Sequence, residues 1–202
     1  MSYINVNIQN VEIFSVSIPL KSRIKMAGVI LDTADNLIIK ISGDNGLIGW
    51  GEASSAPTMT GEFVEGMVSA AKFLKSIVVG SDIKSLTDIK ALLNTPLYAN
   101  QGTLSAIEMA MLDLFARTNN CSLIELLGGP KRESSRALYM IAGGTIDEEI
   151  ARAKEKQKEG FDAFKIKVGS NLAKEDLIRC SSIREALGKT AFISADANEG
   201  YN

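Results

Sequence analysis

Histidine is absent from all 202 residues. Within them that excludes a Ser-His-Asp triad, a zinc site built on imidazole, and a histidine general base. Cysteine is nearly absent: Cys121 and Cys180 stand far apart, each in or beside a helical pattern. They read as buried or incidental free thiols, and a cytoplasmic, reducing location is expected. No run of 18 apolar residues is present, so no membrane span is indicated. The opening Met1-Ser2-Tyr3-Ile4-Asn5 lacks the basic segment and leucine-rich core of an export signal. A surplus of either charge is missing too. With 22 basic and 24 acidic side chains the formal charge is −2, which gives no reason to expect nucleic acid or an anionic membrane as partner. What remains is 46% apolar and 23% charged, ordinary for a soluble globular protein. The length suits one large domain, or a small domain and part of another.

Periodicity divides the chain. Residues 4–18 alternate loosely and read as a strand ending at Pro19-Leu20. Residues 37–42 and 47–50 form a second pair around Gly43-Asp44-Asn45-Gly46, where Asn and Gly accept positive φ. A three-stranded antiparallel meander is expected. Helical spacing follows over 62–79, over 85–94 with Ser85 as cap, and over 103–117. A short turn at 122–127 stops at Gly128-Gly129-Pro130. Trp50 and Phe115 are expected in the core, and Glu52 as a brace within this region. Then the pattern changes. Strands at 137–142, 162–168 and 191–196 alternate with helices from Thr145 to about Glu159 and over 173–187. The first of these helices opens on the capping-box pattern Thr145-Ile146-Asp147-Glu148. Strand starts 25 to 30 residues apart are those of successive βα units in a parallel sheet. The fold class is therefore α/β with an α+β region before it.

The second of these strands, Phe164-Lys165-Ile166-Lys167, is the most informative stretch. Residues two apart on a strand share a face, so both ammonium groups converge. Asp196 ends the next strand, 29 residues after Lys167. Two lysines facing one carboxylate at the mouth of a parallel barrel suit removal of a proton next to a carboxylate. A second cation beside a lysine disfavours its charged form, which is how such an amine becomes a base.

Asn45-Gly46-Leu47-Ile48-Gly49-Trp50-Gly51-Glu52-Ala53, the stretch Ser105 to Asp113, Glu125-Leu126-Leu127-Gly128-Gly129, and the lysine and aspartate strands occur in an order that resembles the enolase superfamily. The closer likeness is to its mandelate racemase/muconate lactonizing enzyme group. The resemblance implies an amino-terminal capping domain over residues 1–130, then the start of a TIM-type (β/α) barrel over 131–202. It implies an isomerase (racemase, epimerase or cycloisomerase) that abstracts the proton α to a carboxylate through a metal-stabilised enediolate. By the same match Lys167 is the base and Lys165 tunes it electrostatically. Asp196 is the first of three acidic ligands to Mg2+ (or Mn2+). Asn198 either orients the metal shell or substrate, or is a turn asparagine; Glu199 reads as a solvated helix start. The family's two specificity loops correspond to residues 21–29 and 53–61, with Arg23 and Lys25 as candidate contacts for an anionic or zwitterionic substrate. Epimerases specific for Ala-Glu tend to carry an arginine late in the first loop, where this chain has Gly28-Val29. A small carboxylate substrate and a homo-oligomer when full length are the implied partners.

A closed barrel needs eight βα units and about 250 residues, and three units would leave an open apolar edge. The expectation is therefore the amino-terminal part of a longer enzyme, inactive by itself. Two alternatives stand beside the isomerase: a sugar-acid dehydratase on the same scaffold, and a catalytically inactive fragment. The residue facing Lys167 from a later strand separates isomerase from dehydratase.

Overall fold

Strand alternation, a bulge and two close-packed glycines account for the first half of the chain. The computed structural model describes residues 3–201 except Ala27, Gly28, Thr58, Thr95, Pro96 and Glu199; the side chains of Ser22, Ile24, Lys25, Met26 and Val29 are also outside the description. Two units form, Met1–Pro130 and Lys131–Asn202.

In the first unit β1 (Val6–Met26), β2 (Val29–Gly43) and β3 (Ile48–Ser54) make the expected antiparallel meander. Buried positions in β1 change from even (Val6, Ile8) to odd (Val11) across a register shift between Ile8 and Asn10. An extra residue on one strand moves every later side chain to the other face, which explains the loose alternation in the sequence. On the same face β2 contributes Leu37, Ile39 and Ile41, all fully buried. Against this sheet lie α1 (Val64–Val78), α2 (Leu86–Leu93) and α3 (Gln101–Thr118). Ile107, Met111, Leu114 and Phe115 supply the α3 stripe, and each such side chain taken from water stabilises by roughly 1.5–3 kcal/mol. Ser85 caps α2 by accepting from the Asp88 N–H. The short α4 (Leu123–Leu126) opens on a capping box of Ser122 and Glu125.

Three expectations need correction here. The first strand does not stop at Pro19-Leu20 but continues to Met26, resuming as Ile24 opposite Leu31 after a second register shift. Among the described residues β1 is paired on its other side only at Val6 and Asn7, so Pro19 lies on an edge stretch of strand, where proline is tolerated. Most of the expected first loop is thus a β-ribbon. The sheet also has a fourth, two-residue strand, β4 (Asp82–Ile83), giving the order β3-β2-β1-β4. Two residues carry too little pattern to be read as a strand. Trp50 is not core: it is 47% exposed, on the face away from α3, with the Lys40 ammonium 5.9 Å from its ring centre. Its neighbours Gly49 and Gly51 face α3 instead. A Cβ at either would collide with the carbonyl oxygen of Ala110 or Ala106, so glycine lets strand and helix backbones touch. Phe115 is fully buried. Glu52 accepts from the Asn36 amide at 2.5 Å, a brace between β3 and β2.

In the second unit β5 (Leu138–Ile141), β6 (Ala163–Lys167) and β7 (Phe192–Asp196) form a parallel sheet in the order β5-β6-β7. α5 (Ile146–Lys158) and α6 (Ala173–Leu187) connect them. Thr145 and Glu148 make both arms of the predicted capping box. Ile141, Phe164, Ile166, Ile183 and Leu187 belong to one buried cluster, in which alternate β6 residues point to the helices. The remaining β6 positions, Ala163, Lys165 and Lys167, are left to the opposite face.

Candidate active site

Strand register brings the predicted residues together. Lys167 is the Cα partner of Asp196 across the parallel ladder, and Lys165 is the partner of Ser194. Neighbours in register lie side by side on one face, so a lysine and an aspartate at the ends of adjacent strands meet. The Lys167 Nζ lies 2.8 Å from Asp196 Oδ2, and the Lys165 Nζ lies 3.3 Å from the same oxygen. All three side chains are partly exposed, between 24% and 36%. Lys167 also donates to the Asn198 side-chain oxygen. Asn198 occupies the left-handed region, at φ 44°, and its N–H donates back to Asp196 Oδ1 at 3.1 Å. Asparagine is among the few residues that tolerate this geometry, so the turn role and the contact role coincide in one side chain.

The Asp196 carboxyl is pulled down from the ordinary range to about 2. The Lys167 hydrogen bond is the largest cause, followed by the Asn198 N–H, with Lys165 adding to both and partial burial opposing them. Asp196 is therefore ionised throughout the physiological range, as a metal ligand must be. Its oxygens are of the hard type that Mg2+ and Mn2+ prefer. Among the described residues no three His, Cys, Asp or Glu side chains gather in one place. The cluster fits one ligand of a divalent-cation site, with other donors needed to complete it.

Arg23 and Lys25 lie in the β1–β2 ribbon of the first unit, where the Arg23 Nε pairs with Asp32 Oδ1 at 2.8 Å, both well exposed. The Lys25 backbone pairs with Ile30, and its side chain lies outside the described residues. Gly28 and Glu199 lie outside them as well.

A second polar group, not singled out in the sequence, adjoins the ends of β6 and β7. Asp176 on α6 is 2% exposed and accepts from the Gly169 N–H and the Tyr201 hydroxyl, each at 2.8 Å. Arg179, one turn on, donates from Nη1 to the Lys167 carbonyl at 3.2 Å. Its guanidinium is 3.5 Å from Asp176 and 3.2 Å from Glu149 on α5, which is fully buried. Burial raises the Glu149 carboxyl against the pull of Arg179. Asp176 moves the other way: burial pushes it up, but Gly169, Tyr201, Asn171 and Arg179 together bring it below the usual range. A signal was available for Glu149. It falls three residues after Ile146 and four before Ala153, on the inward stripe of α5.

The description "Mandelate racemase / muconate lactonizing enzyme, N-terminal domain" matches residues 8–128. The chain belongs to this family, a group of the enolase superfamily. A second description, "Enolase C-terminal domain-like", matches residues 148–202. Among mandelate racemase/muconate lactonizing enzyme relatives, the L-Ala-D/L-Glu epimerase of Bacillus subtilis is 32% identical over 195 residues, which cover 95% of this chain and 52% of that protein. A chloromuconate cycloisomerase of Cupriavidus necator is 29% identical over 191 residues, covering 93% and 51%. The crystal structure of a dipeptide epimerase from Cytophaga hutchinsonii, complexed with Mg and the dipeptide D-Ala-L-Val, superposes with a TM-score of 0.86 at 30% identity. That match covers 97% of this chain and 53% of that one. This member of the family thus spans about half the length of the curated relatives it matches.

Proposed function

We propose that the chain carries the proton-abstracting part of a divalent-metal-dependent isomerase, a racemase or epimerase acting next to a carboxylate. The observation that carries the reading is the convergence of the Lys165 and Lys167 amines on one Asp196 oxygen, at the ends of adjacent parallel strands. The relatives' own names, epimerase and cycloisomerase, support an isomerase; the dipeptide in the Cytophaga structure makes dipeptides and N-acyl amino acids the first substrates to try. The residues 1–130 would act as a cap. The parallel sheet would begin a (β/α) barrel whose later strands, outside this sequence, complete the ligand set.

In this reading Asp196 would hold Mg2+ or Mn2+, which would supply the Lewis acidity that lowers the barrier to removing the α-proton. Lys167 takes the α-proton on Nζ, which requires the amine to be neutral and turned away from Asp196. Lys165 stays beside it as the group that would face the substrate carboxylate. Asn198 holds the Asp196 carboxylate through its backbone N–H, keeping one carboxylate oxygen directed into the turn.

The test is α-proton exchange in D2O, followed by 1H NMR, with the complete gene product, Mg2+ and a panel of dipeptides, N-acyl amino acids and muconolactones. Exchange should depend on the metal and fall roughly 100- to 10,000-fold in Lys167→Ala, the span of a general base. An exchange rate untouched by Lys167→Ala rejects the assignment of the base.

A further inference from the structure

We infer that Arg179, held by Asp176 and Glu149, is a positioning residue that sets where the Lys167 amine stands relative to Asp196. The inference rests on the reading of Lys167 as the base and extends it to side chains on the far side of β6.

The first consideration is energetic. Ionisable groups removed from water cost several kcal/mol each when charged unless well paired, and an apolar cluster of equal volume is often as stable. Glu149 is fully enclosed and Arg179 is only 18% exposed. Pairing in the group is also incomplete, since among the described residues neither Glu149 oxygen nor the Arg179 Nε makes a hydrogen bond of good geometry. Holding α5 to α6 is therefore a weak account of the group.

The second consideration is where its good hydrogen bonds go. The Arg179 Nη1 donates to the carbonyl of Lys167 itself. Asp176 takes the N–H of Gly169, two residues beyond Lys167, and the hydroxyl of Tyr201, five residues beyond Asp196. Gly169 is at φ +86°, and a Cβ there would stand 2.8 Å from the Ala197 carbonyl oxygen. The turns after β6 and β7 are therefore packed backbone to backbone. Val168 N–H donates to the Asp196 carbonyl at 3.0 Å, closing the same seam. Asp176 and Arg179 thus fasten the end of the lysine strand and the turn that follows the aspartate strand from one helix.

The third consideration is leverage. A lysine amine stands several bonds from its backbone, so a small tilt of the strand end becomes a displacement of the order of 1 Å at Nζ. Misplacement of a reacting group by about 1 Å can lower the rate on the order of 100-fold. A fork reaching a carbonyl and two carboxylates is something a guanidinium can do and an ammonium cannot.

The experiment compares wild type, Arg179→Lys and Arg179→Met in the complete gene product with Mg2+. Thermal unfolding identifies which variants are folded at the assay temperature; Arg179→Lys, which keeps the buried charge, is expected to be. In that variant kcat for α-proton exchange should fall about 10- to 100-fold while KM stays within about twofold. A folded Arg179→Lys enzyme with kcat within about twofold of wild type overturns the inference. So does a loss that only tracks the unfolded fraction. A second readout needs no substrate. The Lys167 ammonium, assigned with Lys167→Ala, should give a 1H–15N cross-peak in wild type that is lost in folded Arg179→Lys. Its persistence unchanged also overturns the inference. If wild type exchanges none of the panel, the isomerase reading has failed, and the cross-peak alone decides whether Arg179 places the amine.

Discussion

Replacing Gly51 by alanine should destabilise the first unit, and the structure sets the size of the effect. An added Cβ would collide with the Ala106 carbonyl oxygen and lie 2.9 Å from both the Ala106 carbonyl carbon and the Ala110 nitrogen. These are backbone atoms in the middle of α3, so no side chain can rotate to make room. Overfilling a packed site costs about 1–3 kcal/mol, with the upper end appropriate where backbone must move. Gly66 provides the opposite case. It lies in α1 with nothing within 4 Å of an added Cβ, so Gly66→Ala should stabilise by about 0.5–1 kcal/mol through helix propensity. The chain has a single tryptophan, Trp50, between the two packed glycines, so its fluorescence reports this unit selectively during urea unfolding. With a urea slope of about 2 kcal/mol per molar, Gly51→Ala should lower the midpoint by about 1 M, and Gly66→Ala should raise it by a few tenths. Equal midpoints for the two variants would refute the claim that glycine at position 51 exists to let strand and helix touch.

Two further outcomes are expected. The Asp196 carboxyl, followed by 13C NMR, should titrate near 2, and its midpoint should rise in Lys167→Ala, which removes the largest cause of the shift. Because the folded value lies below the unfolded one, its contribution to stability is complete above the ordinary carboxylate range near 4 and is lost as pH falls toward 2; a midpoint near 4 in wild type would contradict the observed pairing. Thr145→Ala removes one arm of the α5 capping box and should cost about 1 kcal/mol in the second unit, whereas Thr145→Ser should be nearly silent in thermal unfolding.

What the sequence disclosed was what short-range periodicity encodes. A spacing of two put Lys165 and Lys167 on one face, and the Thr145–Glu148 pair marked a helix start that the structure reproduces. Strand spacing also carried Asp196 to the neighbouring position, because a parallel ladder fixes register once both strand ends are known. Family likeness supplied the rest of the reading around these residues. The failures arose where long-range packing overrides local pattern. Pro19 need not end a strand at a sheet edge, and beyond Val6 and Asn7 β1 has no second partner strand among the described residues. Trp50 looks like core by composition, yet the glycines flanking it claim the inner face. Asp176 and Arg179, three residues apart on α6, read as a surface pair, yet Asp176 is enclosed where the Gly169 N–H and the Tyr201 hydroxyl meet it.

Asp196 offers one negative charge where two amines arrive. Among the described side chains that meet at this point, the local sum is one uncompensated cation whenever both amines carry their protons and zero once Lys167 has given its own up, in a protein whose overall balance is slightly negative. With both amines protonated an approaching anion would be drawn to that spot, and the pull would fade over a Debye length of about 8 Å at physiological ionic strength. Capture of a negatively charged ligand should therefore slow as salt is added.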